Sequence, residues 1–107
     1  MKVEVIRVNG TREEHEISKH NAIGTIHRLI GCETGDSVNL RDGRVMCVDD
    51  DGWETEMVDH GNGRFEIKPI RPKKPINAEA TKIYQSLYQT THQIAGDVCI
   101  AIDEDFA

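Results

Sequence analysis

Lys2 to Val8 is rich in Val and Ile, interleaved with polar residues, and Asn9-Gly10 follows. Alternation marks a strand, and Asn-Gly between two such runs marks a hairpin, because both residues tolerate positive φ. Thr11 to Ile17 is then the returning strand. Glu13, Glu14 and Glu16 make it polar, as suits an edge strand that must not pair with other chains. Within the first strand the apolar phase slips from Val3 and Val5 to Ile6 and Val8. Either both of its faces are covered or a bulge shifts the pattern.

Ser18 and Asn21 are both candidate helix N-caps, since their side-chain oxygens can accept from free backbone amides. Ile23, Ile26 and Ile30 follow at helical spacing with Leu29, and Gly31 is placed to end the helix. Gly24 weakens this helix by up to about 1 kcal/mol relative to alanine. Next, Ser37–Leu40 and Arg44–Val48 flank Arg41-Asp42-Gly43, a second hairpin, and Asp49-Asp50-Asp51-Gly52 turns the chain again. Trp53–Val58 pairs with Arg64–Lys68 across His60-Gly61-Asn62-Gly63. In the latter strand Phe65 and Ile67 face one way, Glu66 and Lys68 the other, the pattern of a half-buried strand.

Prolines at 69, 72 and 75 impose an extended connector over residues 69–76. Asn77 then caps the clearest helix, where Ala80, Ile83, Tyr84 and Leu87 form one apolar stripe. Between Gln93 and Ile102 the chain is a final strand. Its Val98, Ile100 and Ile102 alternate with Cys99 and Ala101, and two apolar faces imply burial on both sides. The elements make a single α+β domain over residues 1–107, mostly antiparallel, in the order ββ-α-ββββ-α-β with two short helices.

Composition narrows the function classes. The chain of 107 residues is 37% hydrophobic and 30% charged, enough for one core that removes roughly 60–70% of the unfolded surface from water. No apolar run approaches the length of a membrane span. Glu4 interrupts the N-terminal apolar residues where a signal peptide needs continuity, so a cytoplasmic location is expected. Cys32, Cys47 and Cys99 are odd in number and widely spaced. They read as buried thiols in a reducing compartment rather than as a disulfide framework.

A net charge of −6 argues against nucleic-acid backbone as a partner, which demands clustered cations. The charges are grouped. Asp49-Asp50-Asp51 and Asp103-Glu104-Asp105 are acidic, whereas Arg64, Lys68, Arg71, Lys73 and Lys74 are basic. Separated patches of this kind can steer a partner into place. The acidic turn, with Trp53 beside it as an aromatic anchor, is the candidate partner-binding site.

Motifs for catalysis and metals fail on spacing. Setting Gly52 as the sixth residue of a calcium loop puts Cys47 first and Val58 twelfth, where carboxylates are required. His27, Cys32, His60, His92 and Cys99 do not follow zinc-ligand spacing. Cys47 or Cys99 with His92 and Asp97 supplies the residue types of a thiol triad, but no local motif supports it. No phosphate loop or dinucleotide fingerprint is present. No catalytic residue, metal or cofactor is therefore assigned. One further cluster is chemically suggestive. Thr90, Thr91, His92 and Asp97 lie between a helix and a buried strand, and with Arg71, Lys73 and Lys74 they could hold a small nucleotide or other anionic ligand.

Asn77-Ala78-Glu79-Ala80-Thr81-Lys82-Ile83-Tyr84, then Thr91-His92-Gln93-Ile94 and Gly96-Asp97-Val98, resemble the C-terminal half of a family of small phage-, prophage- and plasmid-borne proteins known only as a domain of unknown function. Asp42-Gly43-Arg44 with Val48-Asp49-Asp50 and Gly52 is similar to that family's central hairpin. The resemblance implies a mobile-element setting and carries no catalytic residues. With the polarised charge and small size, it leads to the expectation of a non-enzymatic accessory protein. Such a protein would bind and modulate a bacterial host protein, in host takeover or anti-defence. Binding of a small anionic ligand is the alternative, and a symmetric dimer through an exposed sheet edge is a further expectation.

Overall fold

The computed structural model describes residues 1–106. Five strands form an antiparallel sheet in the order β2-β1-β7-β4-β3: β1 (Lys2–Ile6), β2 (Arg12–Glu16), β3 (Gly35–Asn39), β4 (Arg44–Asp49) and β7 (Val98–Ile102). Strands β5 (Trp53–Gly61) and β6 (Arg64–Pro72) pair only with each other. Helices α1 (Ala22–Ile30) and α2 (Ala78–Leu87) complete the α+β fold, with a 3-10 turn over Asp103–Phe106. Among the described residues no helix is long and apolar enough to cross a membrane.

The double apolar pattern of the last strand places it at the sheet's centre. Cys99 and Ala101 of β7 join Val3, Val5, Ile26, Ile30 and Cys47 in a core under α1. Val98 and Ile100 point the other way and pack with Ile6, Met46 and Ala80 under α2. The phase slip in β1 is resolved in the same terms. Its pairing with β2 runs without a shift from Lys2↔Glu16 to Ile6↔Arg12, so Val5 and Ile6 serve opposite cores and no bulge is involved. Strand β2 is an edge, as its glutamates imply.

Asn77 caps α2 by accepting from the amide of Ala80 at 3.0 Å. It is fully buried, and its own amide donates to the carbonyls of Ile6 (2.9 Å) and Gly96 (3.1 Å). One side chain thus fixes the start of α2 to β1 and to the approach to β7. At α1 the expected capping does not occur. Ser18 accepts from His20 in a turn outside the helix. Asn21 holds the N-cap position in the left-handed region (φ 56°) without a side-chain cap bond. A Cβ on Gly24 would lie 2.7 Å from Asn21 Oδ1, so glycine there makes room for the asparagine. Gly31 ends the helix at φ 69°. Ile23 is half exposed, and the buried side of α1 carries Ala22, Ile26 and Ile30.

The largest departure from sequence expectation is the β5–β6 hairpin. Both strands are nine residues long, and β6 absorbs residues 69–72 of the expected connector, leaving 73–76 as the link to α2. Asn62 and Gly63 both have positive φ (54° and 72°), the turn that matches strand twist. Strand β6 is exposed along its whole length, not half buried. Phe65 and Ile67 are 61% and 67% exposed because no second layer packs on them. The hairpin is an arm. It draws the molecule out to 47 × 29 × 26 Å with a radius of gyration of 14.7 Å, against about 13 Å for a compact chain of this length.

Candidate functional site

Three segments distant in sequence meet where the arm leaves the body. The Asp49–Gly52 turn ends β4, Trp53 opens β5, and residues 92–95 lead from α2 toward β7. Between them lies a groove of about 270 Å³, with Val48, Ile67, Pro69 and Ile94 in its apolar lining and Asp36 and Asp50 at its polar positions. Trp53 and His92 also face it. The indole N–H of Trp53 donates to the carbonyl of Gln93 at 2.9 Å, and its ring sits 5.4 Å from the His92 imidazole. Tyr84 meets His92 edge-on at 6.1 Å and stacks on Tyr88 at 5.1 Å. The Arg41 guanidinium caps the row 4.2 Å above Tyr88. The sequence contains few aromatic residues, yet the fold aligns three of them with one imidazole. Only the spacing of Tyr84 and Tyr88, one helical turn apart, foreshadowed this.

Among the partner-binding candidates, Trp53, Asp49 and Asp50 line the groove, and Asp49 and Asp51 are engaged in the fold. Asp49 is buried, accepts from the amide of Asp51 at 2.9 Å and is ion-paired with Lys74. Asp51 pairs with Lys73 at 3.0 Å, and Arg71 pairs with Glu54. The two stretches are therefore joined in part: Lys73 and Lys74 meet Asp51 and Asp49 where the link from β6 to α2 folds back against the Asp49–Gly52 turn, while Arg64 and Lys68 stay out on the arm.

The ligand candidates are not gathered into one site. Arg71, Lys73 and Lys74 are each taken up by a carboxylate. Thr90 accepts from the amide of His92 at 3.1 Å, which shapes the loop, and Thr91 is exposed. Asp97 is held by Arg7 at 3.0 Å and by the amide of Val8 at 2.9 Å. Of the seven only His92 faces the groove, and its charged neighbours there are carboxylates. The residue types of a thiol triad are dispersed as well. Cys47 and Cys99 lie in the core beneath α1, and burial pushes their thiols up to about 11 and about 12. Among the described residues no group of three or more His, Cys, Asp or Glu side chains could hold a metal ion.

The arm has two unlike faces. Cross-strand partners share a face, and the register Thr55↔Pro69, Met57↔Ile67, Asp59↔Phe65 gathers Met57, Phe65, Ile67 and Pro69 on one of them. That face runs down into the groove, where Ile67 and Pro69 reappear in the lining. The other face carries Glu56↔Lys68 and Val58↔Glu66. No protein-family model, curated protein or solved structure matches this chain.

Proposed function

We propose that this chain is a non-enzymatic accessory protein of a phage or mobile element, and that its β5–β6 arm is the element that holds a bacterial host protein and modulates it. The observation that carries this reading is the arm itself, a hairpin of two nine-residue strands that pair only with each other, with β6 exposed along its whole length. An isolated two-stranded hairpin is marginal in water, and exposed apolar surface on this scale marks interaction sites. The groove supports the same reading. At about 270 Å³ it is smaller than the roughly 300–1,000 Å³ of small-molecule sites and suits a single inserted side chain. The anionic-ligand alternative has less support, because its cations are already paired and the groove is acidic.

The test is capture from a bacterial lysate by the tagged chain, with mass spectrometry of the eluate. Three variants accompany it: Met57→Glu with Phe65→Glu on the apolar face, Glu56→Lys with Glu66→Lys on the charged face, and Glu14→Lys on β2 as a control. One stoichiometric host protein, retained by the wild type and the control and lost from at least one arm variant, is the expected outcome. Capture indifferent to both arm variants would overturn the proposal.

A further inference from the structure

We infer that the apolar face of the β5–β6 arm is covered by the same face of a second copy, the two arms lying antiparallel about a twofold axis at Met57 and Ile67. This rests on the reading of the arm as a protein-binding element and names what occupies one of its faces. The charged face is left outward for the host protein.

The geometry is self-complementary. A twofold interface sets one patch against itself, so residue i meets j and j meets i. On this face Thr55, Met57 and Asp59 of β5 run beside Pro69, Ile67 and Phe65 of β6. Inverting that pattern about its centre lays Phe65 over the partner copy's Pro69 and leaves Ile67 and Met57 against themselves. Asp59 then falls over threonine, and no like charges are opposed. The same inversion carries each tip to the other's root, where Phe65 meets a groove sized for one large side chain and lined by Trp53, Val48 and Ile94.

Arg64 alternates with Phe65 and lies with Glu66 and Lys68 on the charged face that stays outward, so the stacked faces set no charges of β6 against each other. Edge-to-edge pairing is disfavoured, since Pro69 and Pro72 remove donors from β6 and Glu54, Glu56 and Asp59 make the β5 edge self-repelling. Strand β2, with Glu13, Glu14 and Glu16, repels a copy of itself for the same reason. Each arm is about 30 Å long and 10 Å wide. Two faces with both grooves occupied bury roughly 1,200 Å², the lower end of specific interfaces.

Sedimentation equilibrium on the full chain tests this. At about 100 μM, above the weak end of the micromolar-to-picomolar range that such interfaces span, the wild type is expected to show twice the 12.0 kDa monomer mass. Ile67→Glu and Ile67→Lys, at a site 67% exposed in the single chain, are each expected to be folded monomers. An equal mixture of the two should restore a dimer, because a residue at the axis faces its own counterpart. A monomeric wild type, a dimeric Ile67→Glu, or a mixture that stays monomeric would each overturn the inference. A monomer that still captures a host protein through the arm overturns the second copy alone. A dimer that captures nothing overturns only the host-protein reading.

Discussion

Arg7 Nη1 donates to Asp97 Oδ2 at 3.0 Å across ninety residues of sequence. The same nitrogen donates to the carbonyl of Leu29 at 2.6 Å, and Arg7 Nε and Nη2 grip both oxygens of Glu13 at 3.0 Å. A single guanidinium just past β1 therefore joins β2, the end of α1 and the approach to β7. Its planar fork suits this task, since it satisfies a carboxylate with two parallel bonds and still has donors to spare. Asp97, a ligand candidate by its position in the sequence, is a structural anchor for that fork.

The fork makes a prediction about acid stability. Its bonds to Glu13, and secondarily the His15 bond, lower the Glu13 carboxyl from 4.5 to about 2. A carboxylate with a depressed folded-state pKa contributes stability that is present above its unfolded value and lost as pH falls through the folded one. The contribution of Glu13 is therefore expected to disappear between pH 4.5 and pH 2. Urea midpoints across that range should fall more steeply for the wild type than for Glu13→Gln, which is already weaker at pH 7. Parallel curves would show that the pair contributes nothing.

Asn77 is the most deeply buried polar residue among the described ones. Asn77→Ala loses the α2 cap, worth about 1 kcal/mol. It also strands two buried carbonyls, at about 1–3 kcal/mol each before relaxation. A net loss of about 2–4 kcal/mol is expected in urea unfolding, with the m-value unchanged. Asn77→Asp keeps the cap acceptor but sets a carboxylate against the Ile6 and Gly96 carbonyls, so it should be no better than alanine. An aspartate variant as stable as the wild type would show that only the cap matters.

What was legible in the sequence and what was not divides along a physical line. Element order follows from local signals, namely Asn9-Gly10, Asp42-Gly43 and Asn62-Gly63 as turns, the Asn77 stripe, and the doubly apolar β7. These are short-range preferences that the fold does not override. Alternation over Phe65–Lys68 revealed an apolar face but could not show whether anything covers it, and that is where the half-buried reading failed. Charge grouping failed for a related reason. Lys74 and Asp49 are twenty-five residues apart, and only the fold shows that Lys73 and Lys74 pair with the acidic turn. The groove combines three segments that carry no shared motif, so Trp53 and His92 could be named from sequence but not placed side by side.

The Lys74–Asp49 pair yields the next prediction. The Asp49 side chain is only 3% exposed, while Lys74 is 36% exposed. Lys74→Met keeps the aliphatic stem that lies against Gly96 but leaves the carboxylate buried without its cation. Breaking a fully buried pair costs about 3–5 kcal/mol. The partial exposure of Lys74 reduces the expectation to about 1–3 kcal/mol. Adding Asp49→Asn should recover part of that loss, and a double-mutant cycle in urea measures the coupling. A Lys74→Met protein with wild-type stability would return Lys74 to the pool of cations free to bind a ligand.

The cysteines test the depth of the core beneath α1. Cys47 and Cys99 stand opposite each other in the β4–β7 register and are both buried and unbridged. Cys32, just beyond α1, is half buried, and its thiol is raised by burial and by the nearby Asp49 carboxylate. Reactivity follows the thiolate. At pH 8 burial leaves almost none at Cys47 or Cys99, raised to about 11 and about 12, and closes off access as well. A thiol reagent is therefore expected to label Cys32 slowly in the native protein. It should reach the other two only through opening of the central strands, at a rate that tracks the unfolding equilibrium as urea is added. Mass spectrometry of the native protein should show one adduct long before three. Simultaneous labelling of all three thiols without urea would mean that β4 and β7 are not the closed centre of the sheet.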